Sequence, residues 1–255
     1  MRLRQIAFMA RHIAPVAEQL EQVFDLKVAF RDPAVEVFGL KNVVMPVGGE
    51  FLEVLEPFRD DASGARYLER RGGDSGYMVI LQDENAMAHR MRLEAAGVRA
   101  IATSRGGRYV YTHFHPADCA GVLLSIDSVE GDAVWRQPMS DWPPAGPDWR
   151  NFESDTSLGI SSVTIQARDP LAAAERWSLL LNRRATRVGR ALEFALEPGQ
   201  IRFVPATDQY GAGVVGMDIR VKNPTAILAR ARALGLPVDR DAVTIGGVAI
   251  WPVKA

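Results

Sequence analysis

Two hydrophobic periods alternate along this chain. Residues 3–10 form an extended apolar stretch, and Ile13, Val16, Ala17, Leu20 and Phe24 then recur at helical spacing. Three short extended segments follow. Residues 27–31 close at Asp32-Pro33, and residues 40–47 and 51–56 meet across Gly48-Gly49, a hairpin signal. After a short helical stretch around Tyr67 and Leu68 the order restarts. A strand at 77–81 leads to a helix that Asp83 can cap and Gly97 can end, carrying Met87, Met91 and Ala95. Strands are expected at 98–103, 108–115 and 122–127.

Residues 130–157 break this order. Pro143, Pro144 and Pro147 disfavour helix and strand, which predicts a linker, and Trp135, Trp142 and Trp149 predict that it packs on a domain. The pattern then resumes twice. A strand at 160–167 precedes Asp169-Pro170, a cap followed by a proline at the first helical position, and strands are expected at 185–188, 192–196 and 201–204. The last copy runs from a strand at 214–221 through a helix opened by Asn223-Pro224 and ended by Gly235 to strands at 238–240, 242–245 and 248–253. Ala10, Arg11, Ala17 and Glu18 recur at one constant spacing as Ala167, Arg168, Ala174 and Glu175, and Gly121-Val122 recurs as Gly247-Val248. Such self-similarity points to duplication of one supersecondary unit. The expected class is α+β, with four βαβββ modules.

Composition narrows the role. A net charge of −1 leaves no basic excess to neutralise phosphates, so no nucleic-acid partner is expected. The cluster Arg66, Arg70 and Arg71 reads as a solvated face, with a phosphate or thioester contact as the sharper alternative. One cysteine, Cys119, rules out an intramolecular disulfide and reads as a buried thiol. Arg11 and His12 interrupt the N-terminal apolar stretch, and no run approaches the ~20 apolar residues of a membrane span. A cytoplasmic protein without a membrane partner is expected; a homodimer is left open.

The stretches Phe51-Leu52-Glu53-Val54-Leu55-Glu56-Pro57, Tyr67-Leu68-Glu69-Arg70-Arg71-Gly72-Gly73, and His115-Pro116 leading to Gly121-Val122-Leu123-Leu124 carry a resemblance. Together with the four modules, they resemble the vicinal oxygen chelate superfamily, which includes glyoxalase I, extradiol dioxygenases, bleomycin-resistance proteins and methylmalonyl-CoA epimerase, the last being the nearest branch. The resemblance implies two tandem cupped-sheet domains, residues 1–129 and 158–255, joined by the linker 130–157. It also implies metal-ligand positions at Gln5, Glu53, Tyr77 and Ser125. Only Glu53 is a strong ligand in that set, because amides, phenols and serine hydroxyls bind divalent transition metals poorly. The matching positions of the second half fall near Ser162, Arg202, Met217 and Trp251. That half is expected to be degenerate and to hold no metal, since a cation there would face Arg202 with no carboxylate partner.

Chemistry is therefore sought without a metal. Alternate strand residues share a face. If residues 122–127 pair back on 108–115, His115 lies opposite Gly121, His113 opposite Leu123 and Tyr111 opposite Ser125; the resemblance makes Ser125 an inward-facing position, which implies that both histidines and Tyr111 point into the cup. The catalytic candidates are Glu53, His113, His115 and Tyr77; the substrate-binding candidates are Gln5, Tyr111 and Ser125. No cofactor is expected. The alternative is a divalent metal held by Glu53 with His113 or His115, and the plain structural reading has His115 capping a turn before Pro116. Glu53 sits among apolar neighbours and needs a partner, whether metal, Arg, His or ligand. Two functions compete: proton transfer next to a carbonyl of a small organic acid or thioester by an isomerase or lyase, and non-catalytic sequestration of a small molecule.

Overall fold

A computed structural model describes residues 1–104 and 106–255. The first module comprises β1 (Arg2–Met9), α1 (Ile13–Phe24), β2 (Leu40–Val47) and β3 (Glu50–Pro57). A helix α2 (Ser63–Arg71) leads to the second: β4 (Ser75–Gln82), α3 (Ala86–Ala95), β5 (Ala100–Thr103), β6 (Tyr109–Phe114) and β7 (Leu123–Val129). The third has β8 (Ser157–Ala167), α4 (Pro170–Leu181), β9 (Thr186–Val188), β10 (Ala191–Ala195) and β11 (Gln200–Pro205). The fourth has β12 (Gly213–Val221), α5 (Pro224–Ala233), β13 (Val238–Asp239), β14 (Ala242–Ile245) and β15 (Val248–Lys254).

Each pair of modules builds one curved sheet. The first runs β2-β3-β1-β4-β7-β6-β5 and the second β9-β10-β11-β8-β12-β15-β14-β13. Within each, the opening strands of the two modules pair antiparallel, β1 with β4 and β8 with β12. The two sheets meet where Val214 of β12 pairs with Gly76 of β4. A β-carbon at position 76 would lie 2.6 Å from Val214, so the close approach requires glycine. One apolar core spans both halves, with Phe8, Leu20 and Phe24 of the first and Trp177, Phe203 and Ile250 of the second in the same cluster. Trp177 Nε1 donates across the halves to the Cys119 carbonyl at 3.0 Å.

Two sequence expectations change. Residues 27–31 do not form a strand; only Phe30 bridges to Val44. Asp32 caps a 3₁₀ turn at Pro33–Phe38, which replaces the strand and brings Val35 and Phe38 to the mouth of the first cup. The cap of α3 is Asn85, which accepts from Ala88 N, whereas Asp83 is drawn to His89 at 3.1 Å.

The segment 130–157 covers the first cup. Two buried arginines of β1 hold it through its carbonyls. Arg2 donates to Gln137 O at 2.8 Å and Arg4 to Ser140 O at 2.8 Å. Arg4 also lies 5.0 Å from the Phe51 ring centroid and 5.2 Å from that of Trp142. Gly49, at φ 92°, lets the β2–β3 turn touch the Pro138 carbonyl, where any side chain would collide. Trp142 and Trp149, each 1 % exposed, pack against Phe51, which Trp149 meets edge-on at 4.9 Å. Trp149→Ala is therefore expected to lower unfolding stability by about 3–5 kcal/mol in urea titrations, as for other buried aromatics; a loss below about 1 kcal/mol would mean that this cover adds little to the fold.

Candidate functional site

The concave face of the first sheet encloses a cavity of about 360 Å³. Gln5 of β1, Glu53 of β3, Tyr77 of β4 and Tyr109, Tyr111 and His113 of β6 supply its polar and aromatic wall. Leu55, Met78, Ile80 and Leu123 form an apolar floor, and Pro144 of the cover completes the enclosure. Tyr77 reaches the cavity through a bulge. Ala7 faces Met78 and Phe8 faces Gly76, which leaves Tyr77 as the extra residue.

Glu53 is 6 % exposed and has amide partners only. Gln5 Nε2 donates to one carboxylate oxygen at 2.8 Å and Asn42 Nδ2 to the other at 2.6 Å. Groups that can only donate orient both amides. Trp142 Nε1 points at Gln5 Oε1 at 2.7 Å, and the Asp32 backbone N–H points at Asn42 Oδ1 at 2.8 Å. Each amide therefore turns its NH₂ toward Glu53. Neutral donors hold the carboxylate but do not cancel its desolvation, and burial lifts its pKa to about 7. The partner expected to be a metal, Arg, His or ligand is thus a pair of amides.

A second buried carboxyl group went unflagged in the sequence. Asp127 accepts from Tyr109 Oη at 2.6 Å and from the Ser125 hydroxyl, and burial raises its pKa to about 7 as well. Ser125 lies beneath the wall, completely buried, and also bonds the Thr112 carbonyl at 3.2 Å. Asp127 follows Ser125 by two in the apolar run Leu123–Asp127, the same signal that singled out Glu53. Nothing local in the sequence singles out Trp142 or Asn42.

The β6–β7 register is two residues from the expected one. His113 pairs with Ser125 and Tyr111 with Asp127. A two-residue shift preserves the face, so His113 and Tyr111 still line the cavity. Their rings are in contact at a tilt of 39°, with centroids 4.9 Å apart, and Phe38 lies 5.8 Å from His113. His113 is half-buried in the cavity wall; burial lowers its pKa to about 4, so the ring is neutral near pH 7. His115 does not reach the cavity. Pro116 ends the strand, and the His115 ring caps the following turn by accepting from Ala117 N at 3.1 Å, beside Arg99.

The donor set does not fit the metal that this fold family implies. Both Glu53 oxygens and Gln5 Oε1 are taken by N–H donors, the Ser125 hydroxyl is turned to Asp127, and His115 lies elsewhere. Among the described residues no three His, Cys, Asp or Glu side chains gather as a metal site would need. In the second cup Arg202 occupies the register position of Glu53, opposite Thr164 as Glu53 is opposite Ala7. Its guanidinium is paired with Glu193 at 2.9 Å and Asp218 at 3.5 Å. Met217, expected on the inner face, is buried in the shared core.

These shifts set the pH dependence of stability. Glu53 and Asp127 keep their protons in the folded chain up to about pH 7, so each lowers stability as pH rises, from about 4.5 and about 3.8 respectively to about 7. His113 acts oppositely: its contribution is present above 6.5 and is lost as pH falls through about 4. It offsets one carboxyl below about 6.5, so unfolding free energy is expected to be about 3 kcal/mol lower at about pH 8 than at about pH 5. His113→Phe should steepen this fall by about 2 kcal/mol. Urea titrations at both pH values check this, and a stability that rises over the interval would contradict the assignment.

No family model matches the chain, and no curated protein matches it. Solved structures do. A triple mutant of 4-hydroxymandelate synthase from Streptomyces coelicolor superposes with TM-score 0.69 at 15 % identity, over 92 % of this chain and 75 % of that one. A variant of methylmalonyl-CoA epimerase from the same organism covers 51 % of this chain and 99 % of its own, with TM-score 0.47 at 20 % identity. The methylmalonyl-CoA epimerase from Mycobacterium tuberculosis covers 50 % of this chain and 87 % of its own, with TM-score 0.46 at 18 % identity. With two cups of paired modules and the near-full-length match to the synthase, this chain has the fold of the vicinal oxygen chelate superfamily.

Proposed function

We propose that the first cup is the active site of an isomerase- or lyase-type enzyme that moves a proton at the carbon next to a carbonyl, without a metal. The observation that carries this reading is Glu53: a carboxyl group facing a largely apolar cavity, with no cation among its described hydrogen-bond partners and a pKa of about 7. A base poised near working pH is the effective one for proton transfer. In the deprotonated state Glu53 would take the proton from the α-carbon and return it to the other face or to the neighbouring carbon. Tyr77 and Tyr111, which line the same cavity, would donate hydrogen bonds to the carbonyl oxygen as negative charge develops there. Tyr109 directs its hydroxyl to Asp127, and the neutral His113 ring packs against Tyr111.

One observation favours a second reading, in which the cup only sequesters its ligand: both Glu53 oxygens are already satisfied without a substrate. Exchange chemistry separates the two. In D₂O the protein is expected to catalyse loss of the α-proton signal from small carbonyl compounds by NMR, and Glu53→Gln should slow it at least about 100-fold. The new amide would meet two amide donors, so Glu53→Ala, with exchange restored by added formate, serves as the second variant. Equal exchange in wild type and both variants would remove Glu53 from the mechanism.

Trp142 is a positioning residue in this reading. Trp142→Phe keeps the ring but frees Gln5 to turn its carbonyl toward Glu53, which disfavours the charged form. The midpoint of the rising limb of the pH–rate profile should move up by about one unit, the worth of a hydrogen bond to a charged group. An unmoved midpoint would mean that Gln5 holds its orientation without the indole.

A further inference from the structure

Building on that reading, we infer that the occupant of the first cup is an uncharged ring-bearing carbonyl compound and that the cavity rejects carboxylic acids. Two independent features point there.

The first is charge. Among the described residues lining the cavity there is no Lys or Arg, whereas Asp32 and Glu53 both line it. Asp127 stands directly behind, 2.6 Å from the Tyr109 oxygen. The buried guanidinium of Arg4 lies over Phe51 and Trp142 and donates to the Gly49 carbonyl of the β2–β3 turn and the Ser140 carbonyl of the cover. The charge acting on Glu53 through space is Asp32, of like sign. An acid group brought here would lose its water and meet the like charge of Asp32, with no counter-charge among the described lining residues.

The second is shape. A ladder of rings runs along one wall from the mouth to the cover. Phe38 meets His113 at 5.8 Å, Tyr111 meets Tyr109 at 5.7 Å, and Tyr109 meets Trp142 edge-on at 5.4 Å. Tyr77 faces this wall from β4, itself braced edge-on by Tyr67 at 4.8 Å. Such a slot offers a flat ring stacking and edge contacts at little ordering cost. At about 360 Å³ it belongs to the small end of ligand pockets.

The test uses the full chain and three matched probes: phenylacetone, phenylpyruvate and phenethylammonium. Binding is measured by calorimetry near neutral pH and by quenching of tryptophan fluorescence. The ketone is expected to bind tightest and the acid at least about tenfold more weakly, the consequence of one uncompensated like charge at close range. Asp32→Asn, which keeps the oxygen that caps the 3₁₀ turn, should narrow the ketone-to-acid ratio. Acid binding as tight as the ketone's, ammonium binding tighter than the ketone's, no binding by any probe at millimolar concentration, or an unchanged ratio in Asp32→Asn would overturn the inference. Binding is read without turnover. A ketone that binds but does not exchange its protons refutes the proton-transfer reading alone, and exchange of an acid refutes the substrate class alone.

Discussion

The first cup is organised around a carboxyl group removed from water, with no cation beside it among the described residues. Burying a charge in this way is costly, and buried charges are met by a metal, an ion pair or hydrogen bonds. Here hydrogen bonds alone do so. Glu53 receives one amide on each oxygen, and donor-only groups, an indole N–H and a backbone N–H, point each amide the right way. Neutral donors hold the carboxylate without cancelling its desolvation, so the group stays near the point where it both gives and takes a proton.

That arrangement joins the cover segment to the chemistry. Trp142 belongs to residues 130–157, yet it orients Gln5 on the first strand. The segment can lie there because Arg2 and Arg4 satisfy its carbonyls, which would otherwise be buried unpaired. Buried arginines without a full set of carboxylates are unusual. Their place here is explained by the irregular, proline-rich chain they hold, which has no ladder of its own to satisfy it.

The two cups differ in what they present at matching positions of one scaffold. Register places Arg202 where the first cup has Glu53, and it is neutralised by Glu193 and Asp218. The first cup presents carboxyl groups and rings to an enclosed space; in the second, opposite charges pair across the sheet. The second half contributes instead to the common core and to the Gly76–Val214 junction that binds the sheets together.

Periodicity and turn chemistry alone determined the four modules and nearly all of their strands and helices, because strand and helix periods depend on neighbours a few residues away; the pairing of modules into two cupped sheets followed from the family resemblance. Glu53 was legible as a carboxylate among alternating apolar residues, and His113 and Tyr111 as cavity-facing, since strand alternation survives an error of two in register. Asp127 carried the same signal and went unread. His115 kept the alternation but not the strand, which Pro116 ended. Only the tertiary structure decided that Gln5, Asn42 and Trp142, far apart along the chain, meet at one carboxyl group, and that a bulge turns Tyr77 inward. Hydrogen bonds between distant segments depend on how sheets curve and loops fold back, and no local pattern of residues encodes that.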